Sequence, residues 1–192
     1  MGKATREAYG NALARIGKEN TNIIVLDADL SKSTKTDTFK AVCPERFFNV
    51  GIAEQNLISV GAGLAAAGKI PFVSSFSMFA TGRAFEQIRN AVCYPKLNVK
   101  VCATHAGITV GEDGATHQSL EDISCMRTLP NMTVVVPADE RETEAVIEWA
   151  ASYNGPVYVR LGRAGVDDVT TEGYSFVPGK STILLDGSDV TI

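Results

Sequence analysis

The chain has 192 residues, enough for one α/β domain with a substantial core, and its composition, 45% hydrophobic and 21% charged, is that of an ordinary globular protein. A formal net charge of -4 argues against a general nucleic-acid binder, because neutralising phosphates needs a basic face. No run approaches the ~20 apolar residues that span a bilayer, and the opening MGKATREAYG lacks the apolar stretch of a secretory signal.

Taken in chain order, the pattern alternates between helix and strand. Residues 5–19 put Ala8, Ala12, Leu13 and Ile16 on one face, with Asn20 as a stop. The Met-Gly start is therefore read as the approach to a helix and not as a lipidation signal. Ile23 to Leu26 is a short apolar run without alternation, as in a strand covered on both faces. A short helix over 36–42 ends before Pro44, and Arg46 to Val50 reads as the second strand. Glu54 to Ala67 is an Ala- and Gly-rich helix, Pro71 to Ser75 a strand, 77–92 a helix and Val99 to Ala103 a strand. A long glycine-rich loop, Thr104 to Gln118, precedes a helix near 119–127. Then come a strand at Thr133 to Val136, a helix over 139–152 and a strand at Val157 to Leu161. Strands alternating with helices predict an α/β fold: a doubly wound, mostly parallel sheet with helices on both faces. After Arg163 the sequence turns polar. A new strand pattern then appears at Ser181 to Leu185, with a turn at Asp186-Gly187 and a further strand over Val190-Thr191-Ile192. The expected organisation is one domain over 1–165, with 166–192 as a linker and the start of a truncated C-terminal domain.

Several motifs fail on inspection. Gly61 to Lys69 contains GxxxxGK, but Ile70 follows where a phosphate loop needs Ser or Thr, and the segment continues a helix; its glycines suit close helix packing. His105 and His117, with Glu112 and Asp113 between them, lack the spacing of a metal site, so no metal is expected on this chain. The cysteines Cys43, Cys93, Cys102 and Cys125 form no CxxC pair and sit among apolar neighbours; reduced, buried thiols fit a cytoplasmic protein.

In an open parallel sheet, ligands bind beyond the carboxyl ends of the strands. The residues just after each predicted strand form a coherent set: Asp27, Asp29, Ser31 and Ser33; then Glu54, Gln55 and Asn56; then Phe76, Ser77 and Phe79; then His105, Glu112, Asp113 and His117; and finally Arg163. Arg6 lies at the same end. From position alone, Asp29 or Ser33 is equally compatible with a turn or cap, Glu54 with a dipole-favoured first-turn carboxylate, and the phenylalanines with core.

The strings ATREAYGNAL, DADLSKST, NVGIAEQN, SFSMFATGRAFEQIRNAV, ATHAGITVGEDGATHQSLEDISCMRTLPNMTVVVPAD and GPVYVRLGR occur in this order. Together they resemble the transketolase family, in the domain that binds the aminopyrimidine of thiamine diphosphate; AEQN and GEDGATHQ are the most specific. The resemblance implies that Glu54 hydrogen-bonds a ring nitrogen of the cofactor as a protonated acid, with its pKa raised by apolar burial under Ile52, Ala53 and the phenylalanines. It implies that Phe76 and Phe79 wall the aminopyrimidine and that Asp29 stands on the cofactor-facing rim. Arg6, Ser33, His105 and Arg163 match the family's sugar-phosphate site, and Asp113 and His117 its contacts near the reacting carbon, so Glu54, His117 and His105 are the implied catalytic residues. The implied reaction moves a two-carbon ketol unit between ketose and aldose phosphates in the pentose phosphate pathway.

The sequence departs from the family at two points. No Gly-Asp-Gly occurs, so Mg2+ and the diphosphate are expected on a partner, an N-terminal diphosphate-binding subunit of a split transketolase. Gly82 stands where many relatives carry a larger aromatic. A homodimer or heterotetramer is expected, inactive without that partner and with exposed apolar surface on the Glu54 helix. Deoxyxylulose-phosphate synthase is the nearest alternative, disfavoured by His105 and Met78; a non-catalytic assembly module is a further one.

Overall fold

The computed structural model describes residues 2–190. Six strands form one sheet in the order β2-β1-β3-β4-β6-β5, and every ladder is parallel. They are β1 (Ile23–Asp27), β2 (Phe47–Asn49), β3 (Ile70–Phe76), β4 (Lys100–Thr104), β5 (Thr133–Val135) and β6 (Val157–Arg160). Because side chains alternate across a strand, Ile24, Leu26, Val73 and Val101 enter one apolar cluster while Ile23, Val25, Phe72 and Cys102 enter another. The first cluster is closed by α4 (Glu54–Ala66), the helical segment 78–93 and α6 (Asp122–Arg127). The second is closed by α1 (Thr5–Glu19), α3 (Asp37–Val42) and α7 (Glu140–Ser152). Both faces of the central strands are thus covered, which explains why β1 reads as an unbroken apolar run.

Close packing accounts for one glycine in the rejected phosphate-loop string. A Cβ on Gly61 would meet Val73 Cγ1 at 2.7 Å, so only glycine lets α4 lie this near β3. Gly68 serves differently, ending the helix region with φ +83°.

Three local expectations change. An extra short helix, α2 (Ser31–Thr34), forms after β1 because the buried Asp27 carboxylate gathers its loop, accepting from Leu30 N at 2.6 Å, Thr34 Oγ1 at 2.7 Å and Thr36 Oγ1 at 3.0 Å. The expected helix over 77–92 is a π-helical turn (Met78–Arg83), the short α5 (Phe85–Gln87) and a second π-helical turn (Ile88–Cys93), a departure from α geometry that often marks functional segments. No strand forms at Ser181 to Leu185; Ile183, Leu184 and Leu185 are exposed, since no neighbouring strand pairs with them. The expected strand at Val190 to Ile192 lies largely outside the described residues.

Candidate active site

The chain leaves β1 for β2 on one side and returns past it to β3 on the other. The carboxyl ends of β1 and β3, paired at Asp27 and Ser74, therefore flank the switch point of the sheet, the place where ligands bind in open parallel sheets. Phe76 closes β3 opposite Thr104, the last residue of β4, and this register carries His105 onto the Phe76 ring. The two rings stack with centroids 3.8 Å apart. His105 holds φ at +59°, a left-handed backbone disfavoured for a side chain of this size, which turns the loop away from the sheet at this point. Its Nδ1 lies 2.9 Å from Thr104 Oγ1. Burial, reinforced by the positive charges of Arg6 and Arg163, pushes the imidazole down to about 4, so it is neutral at physiological pH.

Phe79 lies one turn beyond Phe76, with ring centroids 5.8 Å apart. His117 returns over both rings from the long loop, edge-on, at 6.0 Å from Phe76 and 5.2 Å from Phe79. Its Nδ1 is 2.9 Å from Thr116 Oγ1. Phe76, Phe79, His105 and His117 therefore form one aromatic wall.

Glu54 opens α4 and is only 1% exposed. The burial expected of it is present, but the apolar cover expected from Ile52 is not. Ile52 is 76% exposed and turns outward, and Glu54 Oε2 accepts from Arg83 Nη1 at 2.8 Å. The same guanidinium lies 4.8 Å from the Phe79 ring centroid. Arg83 was not among the expected site residues. The signal for it was present: it follows Phe79 by four positions, a spacing that puts a cation and an aromatic ring on one helical face.

On the far side, Arg6 donates from Nη1 to the Ser33 carbonyl at 2.8 Å, so Ser33 contributes its main chain to this contact and not its hydroxyl. Arg163 donates to the Val110 carbonyl and to Glu112 at 2.5 Å, with Asp113 at 3.7 Å. Glu112 thereby partners one of the two cations expected at the sugar-phosphate site. Asp29 is exposed, with φ +66°, and accepts from Asn49 Nδ2 at 2.8 Å, which joins the β1 and β2 loops.

Behind the wall runs a buried polar chain that the sequence did not disclose. Tyr158 bridges Ser77, at 2.9 Å, and Asp122, to which it donates at 2.7 Å; Arg160 Nε donates to the same Asp122 oxygen at 2.7 Å. Asp122 comes from α6 and Ser77 from the end of β3, so the chain ties the phenylalanine segment to the element that follows the histidine loop. Among the described residues, no three His, Cys, Asp or Glu side chains converge as a metal site.

An open parallel α/β domain with a buried glutamate beside an aromatic wall at the carboxyl ends of its strands is the class that fold and site define. The family model for the pyrimidine binding domain of transketolase matches residues 1–167. The chain belongs to this family. It is 57% identical over 192 residues to a protein of Methanocaldococcus jannaschii named as a transketolase C-terminal section, covering 99% of this chain and 61% of that one. It is 38% identical to human transketolase, covering 97% of this chain and 30% of that one. Among solved structures, a split-gene transketolase described as an inactive β4 tetramer superposes with a TM-score of 0.88 at 60% identity, over 97% of this chain and 60% of that one. Transketolase from Leishmania mexicana does so with a TM-score of 0.80 at 31% identity, over 90% and 27%. The chain thus spans about three-fifths of the archaeal relative and less than a third of the human one. Among the described residues, no helix is long and apolar enough to cross a membrane.

Proposed function

We propose that this chain is the pyrimidine-binding half of a split transketolase, moving a two-carbon ketol unit between sugar phosphates together with a diphosphate-binding partner. The observation that carries the reading is Glu54, a carboxylate 1% exposed at the head of α4, beside the aromatic wall and at the family's glutamate position.

These residues fit one end of thiamine diphosphate. Glu54 offers one hydrogen bond to a ring nitrogen, and Phe76 and Phe79 offer apolar faces, with Asp29 at the rim. The Mg2+ and diphosphate end is assigned to the partner because the family's Gly-Asp-Gly string does not occur in this sequence. When bound, the cofactor supplies an electron sink. The chain's own residues bind and orient: Arg6 and Arg163 attract the substrate phosphate, and Asp113 and His117 meet the substrate near the reacting carbon. Neutral His105 holds or releases a hydrogen bond without carrying charge.

Residues 1–165 are the functional domain, and 166–192 lead out of it. Support for this division comes from the exposed segment over Ile183 to Leu185, while the strap over α7, where Asp139 accepts from Val169 N at 2.9 Å and Thr170 N at 2.6 Å, ties the residues just after 165 back to the domain. A two-substrate ketol-transfer assay with thiamine diphosphate and Mg2+ tests the proposal. Activity is expected only when the full-length chain is combined with a partner carrying the diphosphate site. No activity in that mixture, from folded components, would overturn it.

A further inference from the structure

Arg83 engages, within this chain, the two groups that an aminopyrimidine ring would contact. It donates to Glu54 Oε2 at 2.8 Å, and its planar guanidinium lies over Phe79 at 4.8 Å. A guanidinium and an aminopyrimidine are both flat and pack against aromatic faces, but the guanidinium donates to an ionised Glu54 whereas the ring nitrogen accepts from the protonated acid, so only one of them can hold Glu54 at a time. The two partners of the ion pair are unequally placed. The Arg83 side chain is 50% exposed, whereas that of Glu54 is 1% exposed. Arginine can therefore withdraw into water at little cost, while the buried carboxylate cannot be left without a partner. Arg83 also closes the π-helical turn Met78–Arg83, immediately after the exposed Gly82, and its outer half meets solvent.

We infer that Arg83 is an internal occupant of the pyrimidine slot and that cofactor binding displaces it, so that this residue sets cofactor affinity and association rate. The inference rests on the reading of Glu54 as the pyrimidine contact. The arginine gives up Glu54 and Phe79 to the ring, and Glu54 takes up one proton so that it can donate to the ring nitrogen. Arg83 thereby keeps the cofactor-free chain from exposing an unpaired buried charge, and it weakens cofactor binding by the worth of a half-exposed ion pair.

The test is titration calorimetry of thiamine diphosphate with Mg2+ into the cofactor-free assembled enzyme, with association followed by stopped flow. Arg83→Ala is expected to tighten binding about threefold to fivefold and to speed association, which is the worth of an exposed ion pair. Arg83→Gln, which removes the charge and keeps a polar amide, is expected to move in the same direction. A merely structural arginine would weaken binding when removed, so unchanged or weaker affinity in Arg83→Gln, with its thermal transition intact, overturns the inference. Wild-type enzyme that takes up no cofactor overturns the functional reading and this inference together. Wild-type binding with unaltered variants overturns this inference alone.

Discussion

His105 combines three properties that seldom coincide: a left-handed backbone, a ring stacked on Phe76 and a neighbourhood of two arginines. Its pKa of about 4 against an ordinary 6.5 means that the unfolded chain binds the extra proton between those values. Its contribution to stability is therefore complete above about pH 6.5 and is lost as the pH falls toward 4. The expected NMR result is a neutral imidazole with no titration from about pH 5.5 to 8; a midpoint near 6.5 would show that the site is wetter than this geometry. Glu54→Ala in the assembled enzyme is expected to reduce ketol transfer by at least ~100-fold, the usual share of a positioned proton-transfer group. Because its partner Arg83 is half exposed, the accompanying loss of stability is expected to stay near ~1 kcal/mol by chemical denaturation.

At the level of elements, the end of the sheet opposite the site has its own anchor. Lys100 begins β4 fully buried, and its Nζ donates at 2.7 Å to the carbonyls of both Tyr153 and Gly155, just past α7. This clips the exit of α7 to the sheet, and burial pushes the amine down to about 7 from an ordinary 10.5. The unfolded chain holds the proton more tightly, so this residue makes stability rise as pH climbs from 7. Cys93 and Cys102, pushed up to about 11 and about 12, act in the opposite sense once their unfolded thiols ionise near 9. The urea midpoint is accordingly expected to rise from pH 7 to about 8.5, and Lys100→Met to flatten that rise. The Asp122 chain is the corresponding device at the site end. Asp122→Ala leaves Arg160 and Tyr158 without their acceptor, and a loss of about 3 kcal/mol is expected from denaturation.

Across the whole molecule, apolar side chains stand exposed on the rim that carries the candidate site: Ile52 after β2, and Ile108 and Leu120 in the loop after β4. The expected apolar surface on the Glu54 helix is present in modest form, as Val60 at 38% exposure, with Ile52 preceding the helix. Exposed apolar groups around a polar cleft are the pattern of a surface that meets a partner. Ile52→Asp is expected to leave the fold intact while weakening assembly with the diphosphate-binding chain, as read by sedimentation; undiminished assembly would place the interface elsewhere.

The alternation of apolar runs and helical faces determined the parallel α/β architecture, because burial on both faces leaves a periodic record in each strand and helix. The motif strings likewise marked Glu54, Phe76, Phe79, His105 and His117 as candidates, since polar and aromatic residues at the carboxyl ends of strands stand out from the apolar runs they follow. Tertiary structure alone decided what those residues touch. That Arg83 reaches Glu54, that His105 lies on Phe76, that Glu112 partners Arg163 and that Tyr158 links Ser77 to Asp122 depend on strand register and helix placement. The expected strand at Ser181 to Leu185 failed for the same reason. Local pattern reports a capacity to pair, but a strand forms only where a neighbour supplies the other half of the ladder.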